Sequence, residues 1–266
     1  MAERAVAVIQ ARLGSTRLPG KTLAKIAGRP LLEHVVERAK AIPGIADVVV
    51  ATTLSPVDDA LQDFARAGGL PFVRGSEEDV LDRFCLAAHY TRADTIVRIT
   101  ADCPLLDPEV SGRVLAEYVA RRPDIDYVSN VHPPTYPDGL DTEVFSVGAL
   151  ETAAREARLP SEREHVTPYL WNPANHFRLY NVTNSEDLSD HRWTVDEPAD
   201  LKFVNEVFEA LGRSAVRAGM VEILRLLKDR PELRQINAGL RRNEGFERSL
   251  AADRRSITDT QGSTPS

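Results

Sequence analysis

A chain of 266 residues, 42% hydrophobic and 27% charged, has material for one substantial core and at most a small subdomain. No apolar run approaches the roughly 20 residues of a membrane span, and the opening "MAERAVAVIQ" carries an acid and no secretion-type apolar core, so a cytoplasmic protein with no membrane partner is expected. A formal net charge of −7 argues against a broad nucleic-acid surface, which needs clustered Lys and Arg, but leaves room for a local cationic pocket around a small anion.

The first apolar run, "AVAVIQ", predicts a buried strand, and the loop after it, "ARLGSTRLPGKT" from Ala11 to Thr22, reads as a phosphate holder. It is a near miss to a Walker A loop: that motif needs four residues between its first glycine and Gly-Lys-Ser/Thr, and here Gly14 and Gly20 enclose five. Arg12, Arg17 and Lys21 add more cation than a backbone cradle needs, which points to side chains reaching for a polyphosphate; the competing reading is a surface turn with solvated charges. "RPLLEHVVERAKAIPG" predicts a helix with Pro30 in its first turn, an apolar stripe of Leu31, Leu32, Val35, Val36 and Ala39, and a stop near Pro43 and Gly44.

Further strands are expected at "DVVVATT", "LPFVRG", "DTIVRIT" and "IDYVSN", alternating with helical segments, which gives an α/β class with parallel strands. "SEEDVLDRFCLAAHY" opens on a capping-box-like Ser76 and Asp79, with Val80, Phe84 and Ala87 inward and Arg83 on another face. Cys85 and Cys103 lack metal spacing and read as reduced, small apolar residues. Asp107 before Pro108 reads as the N-cap of "PEVSGRVLAEYV". From His132 the chain turns loop-rich, and 132–185 is expected as an inserted arm within a single domain over 1–240. "HRWTVDEPADLKFVNEVFEAL" then predicts strand, turn and helix, and 247–266 is expected as a flexible tail.

Ligands of open α/β sheets bind beyond the carboxyl ends of the strands. Three places qualify: the basic loop, Asp102 in "ADCPLLDP", and Asp196 after "HRWTV". A basic loop facing two acids suits Mg²⁺-assisted phosphoryl or nucleotidyl transfer. Asp102 could instead cap the turn before Pro104, and Asp196 could be the N-cap of the helix that follows. His34 and His89 read as satisfied or surface helix residues; Arg163 and His165 lie either toward a substrate or on a solvated face. Asp141 and Glu143 alternate onto one strand face, open to either a substrate or solvent.

With these residues assembled, the sequence resembles the cytidylyltransferases that activate acidic sugars, a group with the 3-deoxy-manno-octulosonate and acylneuraminate enzymes, and comes nearest the spore-coat polysaccharide branch. The resemblance runs through "VIQARLGSTRLPGKTL", "GRPLLEHVVERA", "VRITADCPLLDP", "YPDGLDTEVFS" and "RWTVDEPADL". It implies a nucleotide-diphospho-sugar transferase fold, Rossmann-like and GT-A-like, with a mixed, mainly parallel sheet flanked by helices, and an arm pairing two subunits as a homodimer. It implies CTP on the opening loop, with Arg12, Ser15, Arg17 and Lys21 around the phosphates and Ala11, Gly14 and Thr16 beside them. Asp102 and Asp196 match the acids that hold Mg²⁺. Arg74, Arg83 and Thr100 are further nucleotide-binding candidates, and Asp141, Glu143, Arg163 and His165 are acceptor-binding ones. Thr100 stands before Ala-Asp-Cys-Pro where the octulosonate enzymes have glutamine before Gly-Asp-Glu-Pro. The implied reaction passes CMP to a small acidic or sugar acceptor with loss of pyrophosphate, with Lys21, Arg12 and Asp102 as its catalytic groups. A glycosyltransferase using a nucleotide sugar and a non-catalytic nucleotide-binding regulator are the alternatives. The cationic loop disfavours the first and the acid pair the second.

Overall fold

Strand β1 (Ala5–Gln10) is apolar on both faces because both are covered. Ala5, Ala7 and Ile9 join one buried cluster, while Val6 and Val8 join the other, the period-2 alternation of a strand between two helical layers. In the computed structural model, which describes residues 3–242 and 244–261, β1 lies inside a seven-stranded sheet of order β5-β4-β1-β6-β8-β7-β9. The members are β4 (Asp47–Thr53), β5 (Phe72–Gly75), β6 (Thr95–Thr100), β7 (Tyr127–Ser129), β8 (Glu143–Ser146) and β9 (Leu179–Asn181). β8 pairs antiparallel with both β6 and β7, and the other pairings are parallel. The short β2 (Lys25–Ile26) and β3 (Arg29–Pro30) form a separate antiparallel ribbon.

Helices α1 (Leu31–Lys40), α2 (Asp59–Ala67), α4 (Pro108–Arg121), α8 (Pro198–Leu211) and α9 (Met220–Asp229) cover one face. Helices α3 (Val80–Thr91), α5 (Val147–Glu156), α6 (Pro160–His165) and α7 (Pro168–Trp171) lie on the other. Asp107 caps α4 as expected, accepting from the Glu109 N–H at 2.8 Å, and its second oxygen takes the Met220 N–H at 2.6 Å, so one carboxylate fixes the starts of α4 and α9. No helix among the described residues is long and apolar enough to cross a membrane.

Register positions the site. Gln10 pairs with Ala51 on one side and Thr100 on the other, so β1 and β6 end level, β4 runs on to Thr53, and the loops after β1 and β6 open on one edge. Four expectations change. The α3 N-cap is Asp79, not Ser76, because the Asp79 carboxylate accepts from the Asp82 N–H at 2.9 Å. The stretch "HRWTV" is not a strand of the sheet: Arg192 makes an isolated bridge with Asp138, outside the named strands, and the Trp193 and Val195 N–H groups donate to the Asp138 and Asp102 carbonyls. Segment 132–185 supplies β8 and β9 to the main sheet, with β8 seated directly against β6. Residues 247–261, expected as a tail, belong to α10 (Glu244–Gln261), while 262–266 lie outside the described residues. Polar contacts hold α10: Asp253 is buried and accepts from the Ser161 N–H at 3.2 Å, a signal that apolar content does not register.

Candidate active site

The loop 11–22 is tied into a tight shape. The Gly20 N–H donates to the Leu13 carbonyl at 3.1 Å, the Thr22 hydroxyl to the Arg12 carbonyl at 2.8 Å, and the Leu13 N–H to Asp58 at 2.7 Å. Gly20 has φ of 72°, the left-handed region that an L side chain resists, and it delivers the chain into a 3₁₀ turn starting at Lys21. From the far end of the chain, the Val195 N–H donates to the Asp102 carbonyl at 2.8 Å and the Trp193 N–H to the Asp138 carbonyl at 2.7 Å. Gly139, at φ 106°, makes that approach feasible: a Cβ there would sit 2.8 Å from the backbone of Trp193 and Thr194. The three segments therefore meet at one point. Lys21 Nζ donates to Asp102 Oδ2 at 3.0 Å, Asp196 Oδ1 at 2.8 Å and the Val195 carbonyl at 2.8 Å.

Burial disfavours the Lys21 ammonium, but the two carboxylates outweigh it and raise its pKa above the ordinary value. Burial likewise opposes ionisation of Asp102, yet Lys21 and the Thr100 hydroxyl hold it down at about 2. Neither acid is spent on capping. The α8 start is capped by Asp200, whose Oδ2 accepts the Asp196 and Glu197 N–H groups, both at 3.0 Å, leaving the Asp196 carboxylate free for cations. Arg17 reaches Asp196 at 3.0 Å, with Glu197 and Glu244 each at 3.5 Å. Arg12 lies 3.5 Å from Glu77 and 3.9 Å from Glu164.

These groups line a cleft of about 840 Å³. Ala11, Arg12, Gly14, Ser15, Thr16, Arg17 and Lys21 all face it, as do Thr100, Asp102 and Asp196. Arg83, on another face of α3 than Val80 and Phe84, lines it too and is only 2% exposed. Burial, and then the neighbouring Arg12 charge, push its pKa down to about 10, and its Nε has no hydrogen-bond partner among the described residues. Arg74 and Arg163 do not line the cleft. Arg74 is held by Asp59 at 2.7 Å and the Thr53 carbonyl at 2.6 Å, and Arg163 by Asp79 and by the Ala154 carbonyl at 2.6 Å.

Asp141, Glu143 and His165 do line it. Glu143 is buried beside Arg98 and accepts from the Tyr127 hydroxyl at 2.6 Å; those partners lower its pKa against the opposing effect of burial. Asp141 pairs with Arg242, and burial still raises its pKa. Sequence reasoning passed over several neighbours. Burial and the Asp141 charge push Asp138 up to about 7, even with Arg192 at 3.2 Å. Arg192 joins Asp138, Asp196 and Asp200 in one buried network. An arginine inside the apolar strand "TIVRIT" was the readable signal for Arg98, and an arginine four residues before Asp196 the signal for Arg192.

A family profile for cytidylyltransferases matches residues 6–217, which takes in the basic loop and both acids. The chain belongs to the cytidylyltransferase family. This cytidylyltransferase is 32% identical over 236 residues to the spore coat polysaccharide biosynthesis protein SpsF of Bacillus subtilis, covering 85% of this chain and 94% of that one. It is 41% identical over 105 residues to the 3-deoxy-manno-octulosonate cytidylyltransferase of Escherichia coli, 40% of this chain and 42% of that one. Among solved structures, a cytidylyltransferase from Leptospira borgpetersenii superposes with a TM-score of 0.84 at 30% identity, covering 90% of this chain and all of that one. A CMP:2-keto-3-deoxy-manno-octonic acid synthetase complexed with CTP shares the fold, with a TM-score of 0.59 at 24% identity over 78% of this chain and 99% of that one. The mixed, mainly parallel sheet flanked by helices is thus the nucleotidyltransferase fold the sequence implies, and the chain is a nucleotidyltransferase enzyme.

Proposed function

We propose that this cytidylyltransferase passes CMP from CTP to a sugar or sugar acid, with release of pyrophosphate, in the making of a surface polysaccharide or glycan. The observation that carries this reading is the meeting of Lys21 with Asp102 and Asp196 on the floor of a cleft whose rim holds Arg12 and Arg17. The relatives named for spore-coat polysaccharide and octulosonate chemistry support the acceptor class.

The donor set fits Mg²⁺ carried in on a nucleotide. Two carboxylates converge, and among the described residues no group of three or more His, Cys, Asp or Glu forms a metal cage. Mg²⁺ keeps phosphate and water ligands and needs only one or two protein carboxylates, so Asp102 and Asp196 would hold it. When bound, it supplies charge neutralisation on the triphosphate oxygens. The chain's own groups do the rest. Arg12, whose partners Glu77 and Glu164 lie 3.5 and 3.9 Å away, and Arg17, beside Asp196, Glu197 and Glu244, present guanidinium forks that pair with phosphate oxygens. Lys21 is positioned against the charge that develops on the leaving pyrophosphate. The acceptor hydroxyl oxygen bonds to the α-phosphorus as the bond from that phosphorus to the α,β-bridging oxygen breaks; the bonding pair leaves with pyrophosphate and the hydroxyl proton passes to water.

The test incubates purified protein with each nucleoside triphosphate, Mg²⁺ and a panel of sugars and sugar acids. Pyrophosphate and a CMP-sugar are expected with CTP. No pyrophosphate above a Lys21→Ala control in any pairing would overturn the reading, and release of a nucleoside diphosphate from a nucleotide sugar would favour a glycosyltransferase.

A further inference from the structure

Helix α10 lies beyond residue 217, where the family match ends, yet it forms part of the cleft wall. Its seat there is specific. Glu244 lies 3.5 Å from Arg17, and Ser249 Oγ is shared between Glu164 at 2.8 Å and His165 Nε2 at 3.0 Å. Phe246 stands edge-on to His165, ring centroids 5.1 Å apart, and to Trp171 at 5.7 Å, with His132 a further 4.8 Å from Trp171. Four rings from four segments thus make one aromatic wall, and all four line the cleft.

Arg248 is one turn on from Glu244. Its Nε donates to the Glu244 carbonyl at 3.2 Å, it lines the cleft, and among the described residues no carboxylate pairs with it. Three acids that line the same cleft are already engaged: Asp141 with Arg242, Glu143 with Arg98, and Glu164 with Ser249. An aromatic wall buries the carbon face of a ring, and a guanidinium with no paired acid binds a carboxylate through paired hydrogen bonds.

We infer that α10 completes the acceptor subsite, with Phe246 and Trp171 packing the carbon face of a sugar ring and Arg248 binding its carboxylate. Acceptor choice then resides in a helix outside the matched core, while the core holds the nucleotide. This assignment rests on the CMP-transfer reading, and its test keeps the two apart.

The full chain, with Arg248→Gln, Arg248→Lys and Phe246→Leu variants, is assayed with CTP, Mg²⁺ and a panel of sugar acids (N-acetylneuraminate, 3-deoxy-manno-octulosonate, glucuronate) and neutral sugars (N-acetylglucosamine, rhamnose). For the acid that turns over, Arg248→Gln is expected to raise the acceptor KM at least tenfold and erase the preference for acids. The CTP KM stays within twofold, and Arg248→Lys restores part of the loss. Phe246→Leu raises the same acceptor KM severalfold. An acceptor KM and acid preference unchanged in Arg248→Gln would overturn the assignment. If the wild type turns over no sugar, the function reading fails, and the helix is judged by hydrogen exchange over 244–254 with α,β-methylene CTP, Mg²⁺ and each panel sugar. Sugar-dependent protection that Arg248→Gln lacks supports the subsite; no such protection in the wild type overturns it.

Discussion

Replacing Lys21 by Met removes the one ammonium that both Asp102 and Asp196 share, and the cost follows from Asp102. An ordinary aspartate titrates at 3.8, and this one is held at about 2. At pH 7 that difference is worth about 2 kcal/mol of folding stability, because the native state binds the proton more weakly than the unfolded chain does. A carboxyl depressed in this way stabilises fully above pH 3.8 and loses its contribution as pH falls through about 2. Lys21, raised above 10.5, contributes fully below that value and loses its contribution only as pH rises through its folded pKa. The deficit of Lys21→Met is therefore expected to be flat from about pH 5 to pH 9 and to shrink as pH falls toward 2.5. Urea unfolding of both proteins at pH 7 and pH 2.5 reads it directly, and a melt at pH 7 is expected to show a midpoint about 4–8 °C lower. Equal stability at pH 7, or a deficit that stays constant down to pH 2.5, would refute the claim that the ammonium holds these acids together.

Asp138, pushed up to about 7, makes folding stability fall as pH rises from about 4 to about 7, since the native state keeps a proton that the unfolded chain releases at 3.8; Asp138→Asn is expected to flatten that slope in urea titrations across the window. Gly139→Ala places a Cβ 2.8 Å from the Trp193 and Thr194 backbone at a φ of 106° and is expected to cost about 1–3 kcal/mol, with CTP binding weakened because the Asp196 loop shifts; calorimetric binding and a melt check both. Arg74→Ala and Arg163→Ala leave the CTP dissociation constant within twofold, because neither residue lines the cleft; a tenfold weakening in isothermal titration would contradict that placement.

The strands and their parallel pairing were legible because β1, β4 and β6 are short apolar runs between turn signals, and the basic loop was legible because its glycines and cations are contiguous. Asp102 and Asp196 were legible as acids past apolar runs. That Asp196 is released by Asp200 from capping α8 depends on a backbone geometry no local pattern encodes. That Arg74 and Arg163 lie outside the cleft, held by Asp59 and Asp79, also depends on long-range placement that a charge in sequence does not reveal. The place of α10 was hidden because its hold on α6 is polar and long-range, Asp253 to Ser161 and Ser249 to Glu164, whereas sequence reading weighs apolar periodicity.

The convergence of Asp102 and Asp196 on one metal–nucleotide is tested most directly by Mn²⁺ binding, followed by electron paramagnetic resonance, in the wild type, Asp102→Asn and Asp196→Asn with and without CTP. We expect tight Mn²⁺ binding only when CTP is present, weakened at least tenfold by either substitution when measured well below the melting temperature of each variant, which loses a few degrees with its Lys21 contact. Undiminished Mn²⁺–CTP binding in both variants would contradict the shared site.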